Sequence, residues 1–115
     1  MTIDRIGEAL VARMGPRYDA FHEADSARFE EELSKAVAET QTPRVVLDMS
    51  KTDYFSSAMI ETLFRVWKKM EAKGDSKMAL AGPSPFCREI IATARLEQLW
   101  PMFPDVESAV AGIRN

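Results

Sequence analysis

A chain of 115 residues is long enough to bury one modest hydrophobic core and too short for a second, so residues 1–115 read as a single domain. Hydrophobic residues make up 46% and charged residues 29%, a globular balance that excludes both disorder and a disulfide scaffold. The net charge of −3 is spread without a basic block, which excludes the electrostatic footprint of a nucleic-acid partner.

Residues Ile3 to Ile6 and Ala9 to Met14 flank Gly7-Glu8, which suits a two-residue turn between antiparallel strands. Gly15-Pro16 breaks that pattern. From about Asp25 the apolar residues Phe29, Leu33, Ala36 and Val37 recur at helical spacing behind an acidic start, predicting a first helix. Within it, Glu30, Glu31 and Glu32 read as a solvated face. Pro43 then opens Arg44-Val45-Val46-Leu47-Asp48-Met49, a β-branched run without alternation, as expected of a central strand covered on both faces.

The loop Ser50 to Phe55 leads into Ile60, Leu63, Phe64 and Trp67, at i, i+3, i+4 and i+7, which predict a second helix stopped near Lys73-Gly74. Lys77 to Ala81 is a short apolar strand ended by Gly82-Pro83. Pro85 suits the first turn of a third helix striped by Cys87, Ile90, Ile91 and Ala94. A last helix carries Val106, Ala109, Val110 and Ile113 behind Asp105 as N-cap. Strand, helix, strand, helix from residue 44 onward implies parallel neighbours, and the opening hairpin adds antiparallel ones. The expected fold is therefore α/β, with a mixed sheet of about four strands and about four helices mostly on one face.

Little in the chain points to catalysis. The only histidine, His22, lies in a polar stretch without a nucleophile motif, and no phosphate-binding glycine loop or zinc-protease pair is present. The chain is accordingly expected not to be an enzyme and to need no cofactor or metal. Cys87, the single cysteine, forbids an intrachain disulfide and sits on an apolar helical stripe, where it reads as a small buried hydrophobe. Asp53 and Lys51 are weak stand-ins for the acidic pair and lysine that a metal-dependent receiver site would need beside Asp48, so Asp48 and Asp53 read as backbone acceptors in the loop that follows the central strand. The N-terminal segment Met1 to Arg5 has neither a signal-peptide pattern nor a membrane-spanning one, so a cytoplasmic protein without membrane insertion is expected.

The stretch Val45-Val46-Leu47-Asp48-Met49-Ser50-Lys51-Thr52-Asp53-Tyr54-Phe55-Ser56-Ser57-Ala58-Met59-Ile60 resembles the STAS signature, a V-V-L-D-L-S strand leading through a short loop into D-S-S-G-L. Leu96 to Phe103 resembles the family's G-L-D-E-L-F-P-I-F segment, and Val106 to Ile113 its closing helix. The resemblance covers about residues 44 to 113 and implies a STAS fold of the anti-sigma factor antagonist kind. It further implies a partner-switching regulator that binds an anti-sigma factor or serine kinase-like protein and is released when a serine is phosphorylated; a homodimer is compatible with it. Ser57 falls on that serine, with Ser56, Ala58 and Met59 standing where the motif has Asp, a second Ser and Gly. Ser57 reads either as this phosphoacceptor or as the plain N-cap of the second helix.

Tyr54, Phe55, Ser56, Ala58, Met59 and Glu61 form the expected partner-binding surface around it. Met59 is included as an adaptable apolar contact lying off the centre of the Ile60, Leu63, Phe64 and Trp67 stripe. The alternative is a STAS scaffold, a subunit of a signalling or transporter-associated assembly in which the serine is never modified.

Overall fold

The computed structural model describes residues 2–18 and 23–114. His22 lies outside the described residues. The opening hairpin forms as the pattern predicts, with β1 (Thr2–Ile6) antiparallel to β2 (Ala9–Arg13) and Gly7 supplying the positive φ of 61° that the tight turn requires. After the two-residue strand β3 (Arg17–Tyr18) comes α1 (Glu23–Ala38), then β4 (Arg44–Asp48), whose five residues are all buried. The chain continues through β5 (Tyr54–Phe55), α2 (Ser57–Glu71), β6 (Lys77–Ala81) and α3 (Pro85–Thr93). A 3-10 turn over Leu96–Gln98 leads to β7 (Met102–Phe103) and α4 (Val106–Gly112).

The sheet has the order β1-β2-β4-β6-β7 and is parallel except for the β1/β2 pair, so β4 is central. It has five strands where the residue pattern suggests four, because β7 is only two residues long and carries no readable alternation. Side chains alternate across it. Leu10, Ala12, Val45, Leu47, Met78 and Leu80 face the core shared with α1, α2, α3 and Trp100. Ala9, Val11, Val46, Ala79 and Ala81 face the other way, onto Ala109 and Ile113 at the last helix. Three helices thus cover one face, and α4 alone covers the other, where the small side chains leave room for it to sit close.

In α2 the buried residues are Met59, Thr62, Leu63, Val66 and Met70, so the inward face is rotated from the predicted stripe and shares only Leu63 with it. Ile60, Phe64 and Trp67 sit half-buried on its flank, where Phe64 and Trp67 meet the fully buried Trp100 ring at 5.4 and 6.2 Å. Thr62 is tolerated inside because its hydroxyl donates to the Ala58 carbonyl. Across the α1/α2 seam, Arg65 donates twice to the Glu30 carboxylate at 2.9 Å, and Lys69 and Lys73 reach Ser34 and the end of α1. Glu30 is therefore a cross-helix partner, while Glu31 and Glu32 are exposed as expected.

Candidate functional site

The site is built where the C-terminal end of β4 hands over to α2, the crevice in which parallel α/β sheets place their functional loops. Asp48, the last residue of β4, accepts the Ser50 N–H at 3.0 Å and the Arg13 guanidinium at 3.0 Å. Arg13 also reaches Asp4 at 2.8 Å, so one cation spans three strands and fixes the mouth of the loop. This is the backbone role expected for Asp48. Asp53 differs: the loop uses its N–H, which donates to Pro16 at 2.7 Å, while its side chain is exposed. Among the described residues no group of acids, histidine or cysteine could hold a metal ion.

The loop is clamped from one side by the segment Gly15 to Tyr18. Thr52 donates its hydroxyl proton to the Gly15 carbonyl at 2.9 Å, the Gly15 N–H donates to the Tyr18 hydroxyl at 2.6 Å, and the Ser56 N–H donates to the Tyr18 carbonyl at 2.7 Å. The last of these bonds, with the Tyr54 N–H donating to the Pro16 carbonyl at 3.3 Å, forms the parallel pair β3/β5. From the other side, the buried Cys87 thiol donates to the Thr52 carbonyl at 3.4 Å. Burial pushes the Cys87 thiol pKa up, which keeps the proton this bond needs. Burial likewise raises Tyr18. Cys87 thus has the core role that its position on the stripe implies.

The clamp delivers two adjacent serines to the start of α2 in different roles. Ser56 is the N-cap, in extended conformation at φ −88°, with its hydroxyl accepting the Met59 N–H at 3.4 Å. Ser57 is the first helical residue and is exposed. The plain-cap reading of Ser57 is therefore overturned, because the residue before it already caps the helix. Ala58 and Glu61 are also exposed, and Tyr54 and Ser56 are half-buried.

Two members of the expected surface are corrected. Met59 is fully buried, because it lies on the rotated inward face of α2, and Phe55 is 1% exposed, because β5 turns its ring into the core. Neither offers a free side chain to a partner. The residue pattern also missed neighbours. Tyr54 stacks on Phe86 of α3 at 5.9 Å, and the Arg17 guanidinium lies 5.6 Å from the Tyr54 ring centre. Phe86 stands off the stripe of the third helix, and an aromatic residue there is the one signal that could have found it.

This architecture, with a mixed sheet, a serine at the head of the helix after the central strand and a closing helix on the far face, defines a STAS domain. The family model of the STAS domain matches residues 20–109, most of the chain, and the chain belongs to that family. It is 26% identical over 115 residues to the candidate anti-sigma factor antagonist BtrV of Bordetella bronchiseptica, covering all of this chain and 95% of that protein. A solved STAS domain protein of Planctomyces limnophilus superposes with a TM-score of 0.83 at 20% identity, over 99% of this chain and 97% of that one. The anti-sigma factor antagonist SpoIIAA of Bacillus, in its phosphorylated form, does so at 0.73 and 16% identity, over 98% of each chain. These two structures establish the fold. No helix among the described residues is long and apolar enough to cross a membrane.

Proposed function

We propose that this chain is an anti-sigma factor antagonist in a partner-switching pathway, working by protein contact in the cytoplasm as one domain over residues 1–115. It binds an anti-sigma factor or serine kinase-like protein through the surface of Tyr54, Ser56, Ala58 and Glu61 around Ser57, and phosphorylation of Ser57 ends the contact. The observation that carries this reading is the division of labour at the start of α2: Ser56 supplies the cap, so the exposed Ser57 hydroxyl is not consumed by the fold.

A phosphate there would sit beside the free N–H groups and positive end of a 15-residue helix, a favourable place for an anion. Modification would therefore leave the fold intact while adding about −1.5 to −2 of charge and three hydrated oxygens to the contact surface. A partner seated on a neutral hydroxyl would meet a group it has to displace or desolvate. The test is mass spectrometry of the protein from its own cells, followed by Ser57→Asp in a binding assay with the co-purified partner. Phosphate on Ser57 and a loss of affinity above tenfold, which is about 1.4 kcal/mol, are expected. Absence of phosphate under several growth conditions, with Ser57→Asp binding unchanged, points to the scaffold reading instead.

A further inference from the structure

Beside Ser57 the wall between α2 and α3 opens into a groove of about 540 Å³. Its lining includes Tyr54, Ser57, Ile60, Phe86, Glu89 and Ile90. Ile60 and Ile90 are half-buried, Phe86 is 52% exposed, and Glu89 is the only charged residue among the described residues that line it. A half-exposed phenylalanine, held in place by its stack on Tyr54 and continuous with Ile60 and Ile90, is the type of rigid side chain that anchors protein contacts.

We infer, on the basis of the partner-switching reading, that this groove extends the docking surface to α3 and receives a basic amphipathic segment of the partner. Aliphatic side chains enter over Ile60 and Ile90 against Phe86, and a Lys or Arg pairs with Glu89. Charge complementarity decides the occupant. Among the described residues the one acid of the lining has no cation beside it in the lining, and the exposed Glu61 on the first turns of α2 adds the same sign nearby, while Arg17, over the Tyr54 ring at 5.6 Å, stands at the edge. A basic partner also fixes how Ser57 acts. Ser57 lines the same groove, so a charged group there, the phosphate or the carboxylate of Ser57→Asp, holds its hydration shell and excludes the aliphatic contacts, a local desolvation cost that outweighs the long-range attraction.

The test places the photoreactive analogue p-benzoylphenylalanine at position 86 of the full chain in its own cells, and in a second strain at position 58, beside Ser57. The expected result is an adduct from position 86 to another protein, whose cross-linked peptide alternates aliphatic residues with Lys or Arg. Glu89→Lys should reduce that adduct at least tenfold, and the milder Glu89→Gln severalfold, with unchanged far-UV circular dichroism. An adduct to a second copy of this chain, an acidic cross-linked peptide, or indifference to both Glu89 variants overturns the inference. So does silence at 86 with reaction at 58, an outcome that leaves the Ser57 surface standing; silence at both positions sinks the partner-switching reading as well.

Discussion

Arg95 is held in the left-handed region, at φ 59° and ψ 31°, and is the only non-glycine residue among those described with a positive φ. It joins the end of α3 to the 3-10 turn over Leu96–Gln98: its N–H donates to Ala92 at 3.1 Å and its carbonyl accepts from Gln98 at 3.3 Å. The reversal is needed to bring the buried Leu96 and Trp100 back under α2 and α3. In the segment that this stretch resembles, the residue at this position is glycine. An L side chain in the left-handed region costs about 1–2 kcal/mol, while glycine loses about 0.5–1 kcal/mol more backbone freedom on folding.

Arg95→Gly should therefore stabilise the protein by about 0.5–1 kcal/mol, raising its melting temperature by roughly 2–5 °C for a domain of this size. The exposed side chain contributes little to be lost. Urea unfolding followed by tryptophan fluorescence suits the measurement, since Trp100 is fully buried, and the slope of the transition should not change. Arg95→Ala is the control, because it deletes the side chain and keeps the strain. If Arg95→Gly were less stable than the parent, or if Arg95→Ala gained as much, the strain argument would be refuted.

Gly112 lies under the Phe103 ring, which a Cβ at that position would overlap, so Gly112→Ala should cost about 1–3 kcal/mol and much less in a Phe103→Leu background. A urea double-mutant cycle with equal losses in both backgrounds would contradict this. The buried, proton-bearing Cys87 thiol should ignore an aromatic disulfide reagent at pH 8 in the native protein and react fully once the chain is unfolded; prompt native reaction would count against its core placement. Through its hydrogen bonds the Arg65 guanidinium holds the Glu30 carboxyl below its usual range. A lowered folded pKa gives stability that is complete above the unfolded value of about 4.3 and fades as the pH falls toward the folded one. In an NMR titration Glu30 should protonate at lower pH than an ordinary glutamate, and Arg65→Met should return it to the ordinary range.

Elements with a private local signal were legible in the sequence. Asp105 caps α4 by accepting the Ser108 N–H at 2.8 Å, Pro85 opens α3, and the unbroken apolar run of β4 is central. Elements made by tertiary contact were not. The strands β3 and β5 are two residues each and exist because the Gly15 to Tyr18 segment takes up the loop's N–H groups, a pairing across more than thirty residues that no periodicity announces. The inward face of α2 departs from the residue pattern for a related reason. Met59, Thr62, Leu63, Val66 and Met70 have helical spacing, and so do Ile60, Leu63, Phe64 and Trp67. Hydrophobicity favours the second set. Trp100 decides for the first, because it draws Phe64 and Trp67 to the flank and leaves the inward row to the slimmer methionines and valine.

That rotation bears on the altered motif. Ser56 stands where the signature has Asp, and either residue can accept a backbone N–H as a cap, so the substitution keeps the geometry and removes one negative charge next to Ser57. Met59 stands where the signature has Gly. Its backbone is in the helix with negative φ, so nothing there demands glycine, and its side chain fills core volume between α2 and the sheet. Ala58 is exposed and takes away only a second hydroxyl. The three departures therefore fall on a cap, a core filler and an exposed position of the proposed contact surface, while the exposed first residue of the helix is still serine. The motif has changed in a way the fold absorbs, so a sequence that looks eroded still presents the hydroxyl on which the proposed switch depends.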